Sequence, residues 1–253
     1  MIKNEKLRKM IRIGAVIALV LSLYFFASEA LSYISHQQEL KNLQEVLDEI
    51  SEEIIDTTGA AKADTSDIMG SVQYFTKLKL QNDDYVGWIY MPKLKINYPV
   101  VLAPDNEYYL THSFYKSYNI YGTIFTDYRN VGVYNDAHLI IYGHHMKNKT
   151  MFSHLDDLRQ KSNYASNKII EIYAKGIVKK YMIFSVYAVD AKKTTFDLPY
   201  TGNVQTLISV YTKKALYKTN VDTSTATHVL TLVTCTSAVT NGRLVVHAIP
   251  YEE

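Results

Sequence analysis

From Tyr85 onward the chain is cut into short runs rich in β-branched and aromatic residues, and this texture limits the fold more than any other feature. "YVGWIYM", "INYPVVL", "GTIFTDY", "HLIIYG", "IIEIYA", "KKYMIFSVYAV", "HVLTLVTC" and "RLVVHAI" are eight such runs. Runs of this length and composition, bounded by turn residues, read as strands. Eight at regular spacing predict a mainly β fold with accessory helices, a closed or nearly closed eight-stranded barrel. A short helix is expected over 72–81, and helical insertions near 150–162 and 203–218. The hydrophobic content of 47% is enough for a packed core. That core must hold without cross-links, because one cysteine cannot form an intramolecular disulfide.

The N-terminal part has a different texture. "IGAVIALVLSLYFFASEALSYI", residues 13–34, is broken by a single charge, Glu29. At 22 residues it is long enough to span a bilayer. Lys3, Lys6, Arg8, Lys9 and Arg12 precede it, against Glu5 alone. This basic segment, 1–12, predicts a cytoplasmic N-terminus and an extracellular remainder, a single-pass cell-membrane protein. Ser28-Glu29-Ala30 also resembles a small-x-small cleavage site, so a cleaved signal peptide is the competing reading. Five of the 27 basic residues and one of the 25 acidic ones lie in the first twelve, leaving 22 against 24 elsewhere. Nucleic-acid binding therefore has little support. Leu40, Leu43, Leu47, Ile50 and Ile54 follow at helical spacing and predict a stalk helix. "TTGAAKADTSDIMGS", 57–71, reads as a linker, so 35–71 is stalk and linker.

The only thiol, Cys235, lies at the end of "HVLTLVTC". Thr231, Val233 and Cys235 share one strand face by alternation. "TSAVTNG" is a loop with Asn241-Gly242 as its turn signal, and Arg243 opens the next strand. If the two strands are neighbours, thiol and guanidinium face each other across a short loop. A thiol is a nucleophile only as thiolate, which a nearby cation favours. Of the eight histidines, His144 and His145 are best placed, on a loop after "HLIIYG", where Gly143 permits a tight turn. Taken singly each feature has a plainer reading: a buried cysteine, a surface arginine, a metal-binding His pair. No Asp, Glu or Cys spacing around the pair suits a zinc cage, so no metal is expected. Together, on an exported chain with one thiol, the three favour catalysis.

These residues resemble the sortase family, class B. "TLVTC" fits its TLxTC signature, with Arg243 downstream. "IIYGHHMKNKTMF" (140–152) is similar to the segment around the family's catalytic histidine, as are "INYPVVLAPDNEYYL" (96–110) and "GTIFTDYRN" (122–130) to other class B segments. The resemblance runs from about residue 72 to 250, and assigns 72–253 to the catalytic domain. It implies the eight-stranded sortase barrel, with a helix between strands six and seven where 203–218 lies. It also implies a cysteine transpeptidase of Gram-positive cell surfaces. Such enzymes cut the C-terminal sorting signal of a secreted protein after its threonine and pass the acyl group to an amine. The acceptor is a peptidoglycan precursor in cell-wall anchoring or a pilin lysine in pilus assembly. By motif position the catalytic residues are Cys235, His144 and Arg243, with Asn97, Val101, Tyr142 and Thr234 lining the peptide groove and no cofactor. Some class B enzymes have an acidic residue just after the cysteine or at the second position beyond it; here those positions are Thr236 and Ser237. Three readings compete. A membrane-anchored cysteine peptidase would pass the acyl group to water. A non-enzymatic adhesin would not need Cys235. A redox sensor is disfavoured, since no second cysteine can resolve a sulfenate.

Overall fold

The eight runs close on themselves. A computed structural model of the chain describes residues 5–58, 64–102, 104–134, 136–193, 195–236 and 241–252, except for the side chains of residues 57, 58, 193, 235 and 236. Its strands are β1 (Tyr85–Met91), β2 (Ile96–Leu102), β3 (Ile124–Thr126), β4 (His138–Tyr142), β5 (Ile169–Ala174), β6 (Ile177–Asp190), β7 (Val229–Thr236) and β8 (Gly242–Tyr251). They form a closed barrel in the order β1-β2-β3-β4-β7-β8-β6-β5. Two pairings are parallel, β2 with β3 and β4 with β7. Parallel neighbours need a crossover, and the chain between β4 and β7 supplies it. It passes through a 3-10 turn (Ser153–Arg159), α4 (Lys161–Tyr164), the β5–β6 hairpin and α5 (Val204–Lys214).

Alternation decides what each strand face buries. On β7, Leu230 and Leu232 point into the barrel core with Ile89, Ile172, Leu244 and Val246. Val229 and Val233 point outward, Val229 beneath α5 with Ile208 and Tyr211. The opposite outer wall is covered by α1 (Glu5–Thr58), α2 (Thr65–Gly70) and α3 (Val72–Gln81). There Leu43, Leu47 and Ile50 of α1 meet Tyr74, Leu78, Tyr85 and Trp88. α3 starts where Ser71 accepts the Tyr74 N–H (3.0 Å) and α5 where Asn203 accepts the Gln205 N–H (2.8 Å). Such caps satisfy amides that have no partner within the helix.

The N-terminal segments differ from expectation in two ways. The segments expected as anchor and stalk are one uninterrupted 54-residue helix, about 80 Å long. Nothing between residues 5 and 56 breaks the pattern, since neither Pro nor a Gly pair occurs there. Its apolar first half stands free, with Phe25, Phe26 and Leu31 at 66%, 73% and 66% exposure. The linker is also partly structured. Asp64 accepts the Ser66 N–H (2.8 Å) and starts α2, whose Ile68 and Met69 are buried.

A buried polar chain crosses four strands. Thr231 Oγ1 lies 2.7 Å from His138 Nε2 and 2.8 Å from His247 Nδ1, and His247 Nε2 lies 3.0 Å from the Tyr187 hydroxyl. Burial lowers His138 to about 4. Burial, then the His138 and Lys214 charges, pulls His247 well below its ordinary value. Both imidazoles fold neutral, whereas the unfolded chain binds their protons below about 6.5. Their contribution is therefore complete above pH 6.5 and shrinks as pH falls towards 4. For His138 alone the loss at pH 5 is about 2 kcal/mol. Glu39 acts in the opposite sense: burial raises it to about 7, so its contribution is lost as pH rises through 7. Urea unfolding at pH 7 and pH 5 isolates the histidine, because a His138→Gln variant should lose about 2 kcal/mol less on acidification than the parent.

Candidate active site

β7 is the central element of the site. On one side the parallel ladder pairs Tyr142 of β4 with Val233 and continues through the Gly143 N–H, which donates to the Val233 carbonyl (3.1 Å). His144 follows two residues beyond Tyr142, as Cys235 lies two residues beyond Val233. On the other side Cys235 is directly opposite Arg243 in the antiparallel β7–β8 ladder. The backbone of the single cysteine thus lies opposite Arg243 on one side and, on the other, beyond the end of the ladder with the strand that leads into His144. The side chains of Cys235 and Thr236, and all of Ser237, lie outside the described part of the chain.

His144 is oriented by a main-chain group. Its Nε2 donates to the Leu110 carbonyl (2.6 Å). A carbonyl only accepts, so Nε2 keeps its proton and Nδ1 is the nitrogen that can gain or release one. His145 turns elsewhere, with Nε2 3.5 Å from an Asp156 carboxylate oxygen on the 3-10 turn. Gly143 does not need a left-handed conformation here. It needs space, because a Cβ would come within 2.5 Å of Ile124 Cδ1 and 2.6 Å of Phe152 Cδ2. Phe152 is fully buried and its N–H donates to the His144 carbonyl (2.9 Å). Packing on Gly143 thereby fixes the backbone that carries His144.

Arg243 is half-buried, and its Nη1 donates to the Gly242 carbonyl (3.2 Å). It borders a cleft of about 360 Å³ with Arg129, Tyr142, Phe196, Val233 and Val245. The four expected groove residues separate here. Tyr142 lines the cleft. Thr234 is 2% exposed on the interior face with Leu232. Val101 is fully buried and packs with Phe125 in the core beneath α1. Asn97 is exposed near the start of β2 and accepts the Trp88 indole N–H (2.6 Å), beside α1. The structure does not bring Asn97, Val101 or Thr234 to the cleft.

Asp127 was missed. It is fully buried at the end of β3 and accepts from Arg129 Nε (2.8 Å), Arg129 Nη2 (2.9 Å), the Tyr142 hydroxyl (3.0 Å) and Asn106 Nδ2 (3.0 Å). Burial pushes the carboxyl up, but the Arg129 fork, Tyr142 and Asn106 together outweigh it and hold it below the ordinary range. Burial, then the Asp127 charge, raises the Tyr142 phenol, which stays a donor. Arg129 Nη1 also donates to the Phe196 carbonyl (3.2 Å), tying the cleft's far wall to the hub. The Asp-x-Arg spacing within "GTIFTDYRN" was the available signal. Leu110, whose carbonyl holds His144, gives no side-chain signal.

A family model described as "Sortase domain" matches residues 89–251. Sortase B of Listeria monocytogenes is 31% identical over 201 residues, 78% of this chain and 79% of that protein. Sortase B of Staphylococcus aureus is 32% identical over 178 residues, 69% and 73%. Among solved structures, a Staphylococcus aureus sortase B–substrate complex superposes with a TM-score of 0.70 at 27% identity, covering 87% of this chain and 99% of that one.

The hub predicts an uneven response to mutation. Arg129→Met would leave a carboxylate at 0% exposure without its counter-ion, so it should cost about 3 kcal/mol in urea unfolding at neutral pH. Adding Asp127→Asn should restore part of that loss. A cost below about 1 kcal/mol would mark the pair as an ordinary surface ion pair.

Proposed function

The chain belongs to the sortase family, as a sortase B type cysteine transpeptidase, and from this we propose that Cys235, His144 and Arg243 cleave the C-terminal sorting signal of secreted proteins after its threonine. The acyl group passes through a thioester on Cys235 to an amine. One juxtaposition supports the reading: Cys235 lies in β7 directly opposite Arg243 of β8, and the neighbouring strand β4 leads into His144 two residues beyond its last pair with β7, Tyr142–Val233. The similar Staphylococcus aureus structure is a sortase B–substrate complex, which supports a substrate site on this barrel.

The steps follow from the groups present. The Cys235 thiolate adds to the threonine carbonyl carbon. Arg243 donates to the oxyanion that forms, where negative charge develops and a fixed donor contributes most. The carbon–nitrogen bond then breaks, and the leaving amine takes the proton held at His144 Nδ1. An incoming amine attacks the thioester, gives a proton back to Nδ1, and releases the thiolate. Tyr142 and the Arg129–Asp127 hub shape the cleft beside Arg243. Residues 13–34 act as an uncleaved membrane anchor, with 1–12 cytoplasmic and the barrel outside the cell. The apolar half of α1 left free of the barrel supports that role.

Incubation with a sorting peptide should leave an acyl adduct on Cys235, visible by mass spectrometry and absent from Cys235→Ala. Product should form faster when a free amine is added. A rate indifferent to amine would make the chain a peptidase. Supplying a peptidoglycan-type amine and a pilin-type lysine peptide in parallel separates the two acceptor classes.

The histidines should differ sharply. His144→Ala should lose at least ~100-fold in kcat/KM. His145→Ala loses only an Asp156 contact and should stay measurably active. The reverse order would mean that the proton carrier has been misassigned.

A further inference from the structure

Two loops of the barrel end beside the point where α1 leaves its apolar stretch. In the first, Asn119 Nδ2 donates to the Ser32 carbonyl (3.1 Å), and the Tyr121 ring meets Tyr33 and stacks on His36 at 4.7 Å. In the second, Asn148 and Thr150 share a hollow with Phe26, Glu29 and Ala30. The second loop is the continuation of the segment that carries His144.

The helix itself sets the level of these contacts. Ile13–Ser28 is free of charge between Arg12 and Glu29. At ~1.5 Å per residue a ~30 Å hydrocarbon layer entered at Ile13 ends near residue 32. Glu29 and Tyr33 therefore mark the outer interface, where aromatic rings and charged groups concentrate. Loops touching Glu29–Tyr33 stand at the same height, with the Phe26 side of the hollow about one helical turn deeper. Their outward groups suit that place: Tyr118 is 70% exposed, and Lys147 and Lys149 are both exposed. Glu29 is the one carboxylate among the described residues lining the hollow.

We propose that loops 117–121 and 145–150 rest on the outer surface of an anionic bilayer, with Lys147 and Lys149 facing lipid phosphates and Tyr118 in the interfacial zone. The proposal rests on reading 13–34 as a membrane anchor. It makes the loop beyond His144 a lipid contact, so that catalysis and membrane contact share one segment of chain.

The test uses the full chain reconstituted into phosphatidylcholine vesicles with or without phosphatidylglycerol, some carrying a spin label in the headgroup region. Flotation reads the anchor. A Tyr118→Trp reporter reads the contact, against Trp88, 4% exposed in the parent, as background. Flotation with both lipids is expected, with the reporter indole quenched only when phosphatidylglycerol is present. Lys147→Glu with Lys149→Glu should lower the quenched fraction at least about two-fold, in line with an electrostatic attraction of each lysine to anionic headgroups. A floating chain whose reporter is quenched no more than Trp88 leaves the anchor standing and overturns the lipid contact. Quenching indifferent to phosphatidylglycerol and to the charge reversal also overturns it. Failure to float overturns the anchor and this proposal with it.

Discussion

The site depends on β7 having hydrogen-bonded neighbours of opposite sense on its two sides, parallel β4 and antiparallel β8. The antiparallel side needs only a short loop, which brings Arg243 opposite Cys235. The parallel side is the demanding one. A parallel neighbour cannot be reached by a hairpin. The chain must leave β4, build β5, β6 and α5, and return before β7 can lie beside it. That detour is held by burial: Leu139 and Ile141 of β4 share the interior with Leu230 and Leu232, while Ile208 and Tyr211 seat α5 on the outer face. Closure of the barrel also removes the open edges at which such strands could slip or pair with another chain.

Around that ladder, the groups that aim the chemistry are mostly not the ones that perform it. His144 is held by a carbonyl from residue 110 and by a backbone pressed against Phe152 through Gly143. Tyr142 is held by Asp127, which is held in turn by Arg129 and Asn106. A carboxylate at the end of a strand would be costly to bury alone; five donors converging on it, the Arg129 backbone N–H among them, make the burial tolerable and orient the side chains that donate. The cleft beside Arg243 is walled by residues from the loop after β3, from β4, β7 and β8 and from the segment after β6, and the buried Asp127 ties the Arg129, Tyr142 and Phe196 parts of that wall together.

The fold was largely legible because barrel strands alternate, and alternation is visible in sequence. All eight runs became strands with boundaries shifted by a few residues, and 72–81 became α3. The strand order was not legible, since nothing in "HLIIYG" says that its neighbour will be "HVLTLVTC". Nor was the continuity of α1, because a change from apolar to amphipathic composition reads as a boundary even where the backbone has no reason to break. In the site, Cys235, Arg243 and His144 came from motif spacing; the register sets Cys235 opposite Arg243, and His144 follows two residues after the Tyr142–Val233 pair. Of the expected groove residues, Tyr142 lines the cleft. Val101 and Thr234 lie on strands that pass the site, but a strand has two faces, and theirs are committed to packing. Leu110 contributes a carbonyl, which every residue possesses, so no side-chain pattern could point to it.

The continuity of α1 raises a physical question, since the helix docks on the barrel through two ionisable groups. His36 is 2% exposed and Glu39 7%, and a charge at either place would be expensive. Burial answers by removing the charges: His36 falls to about 4, and Glu39 rises to about 7 despite accepting from Ser113 and the Phe114 N–H. Between about pH 4 and 7 the two behave as polar but largely uncharged members of a stripe that continues through Leu43, Leu47 and Ile50. His36 contributes through ring stacking on Tyr121, Glu39 through hydrogen bonds, and the leucines through apolar area. The stalk is therefore seated along its length and not hung from a flexible tether. A helix seated this way transmits its own direction to the barrel, so that whatever fixes residues 13–34 also fixes the height and tilt of the His144 loop.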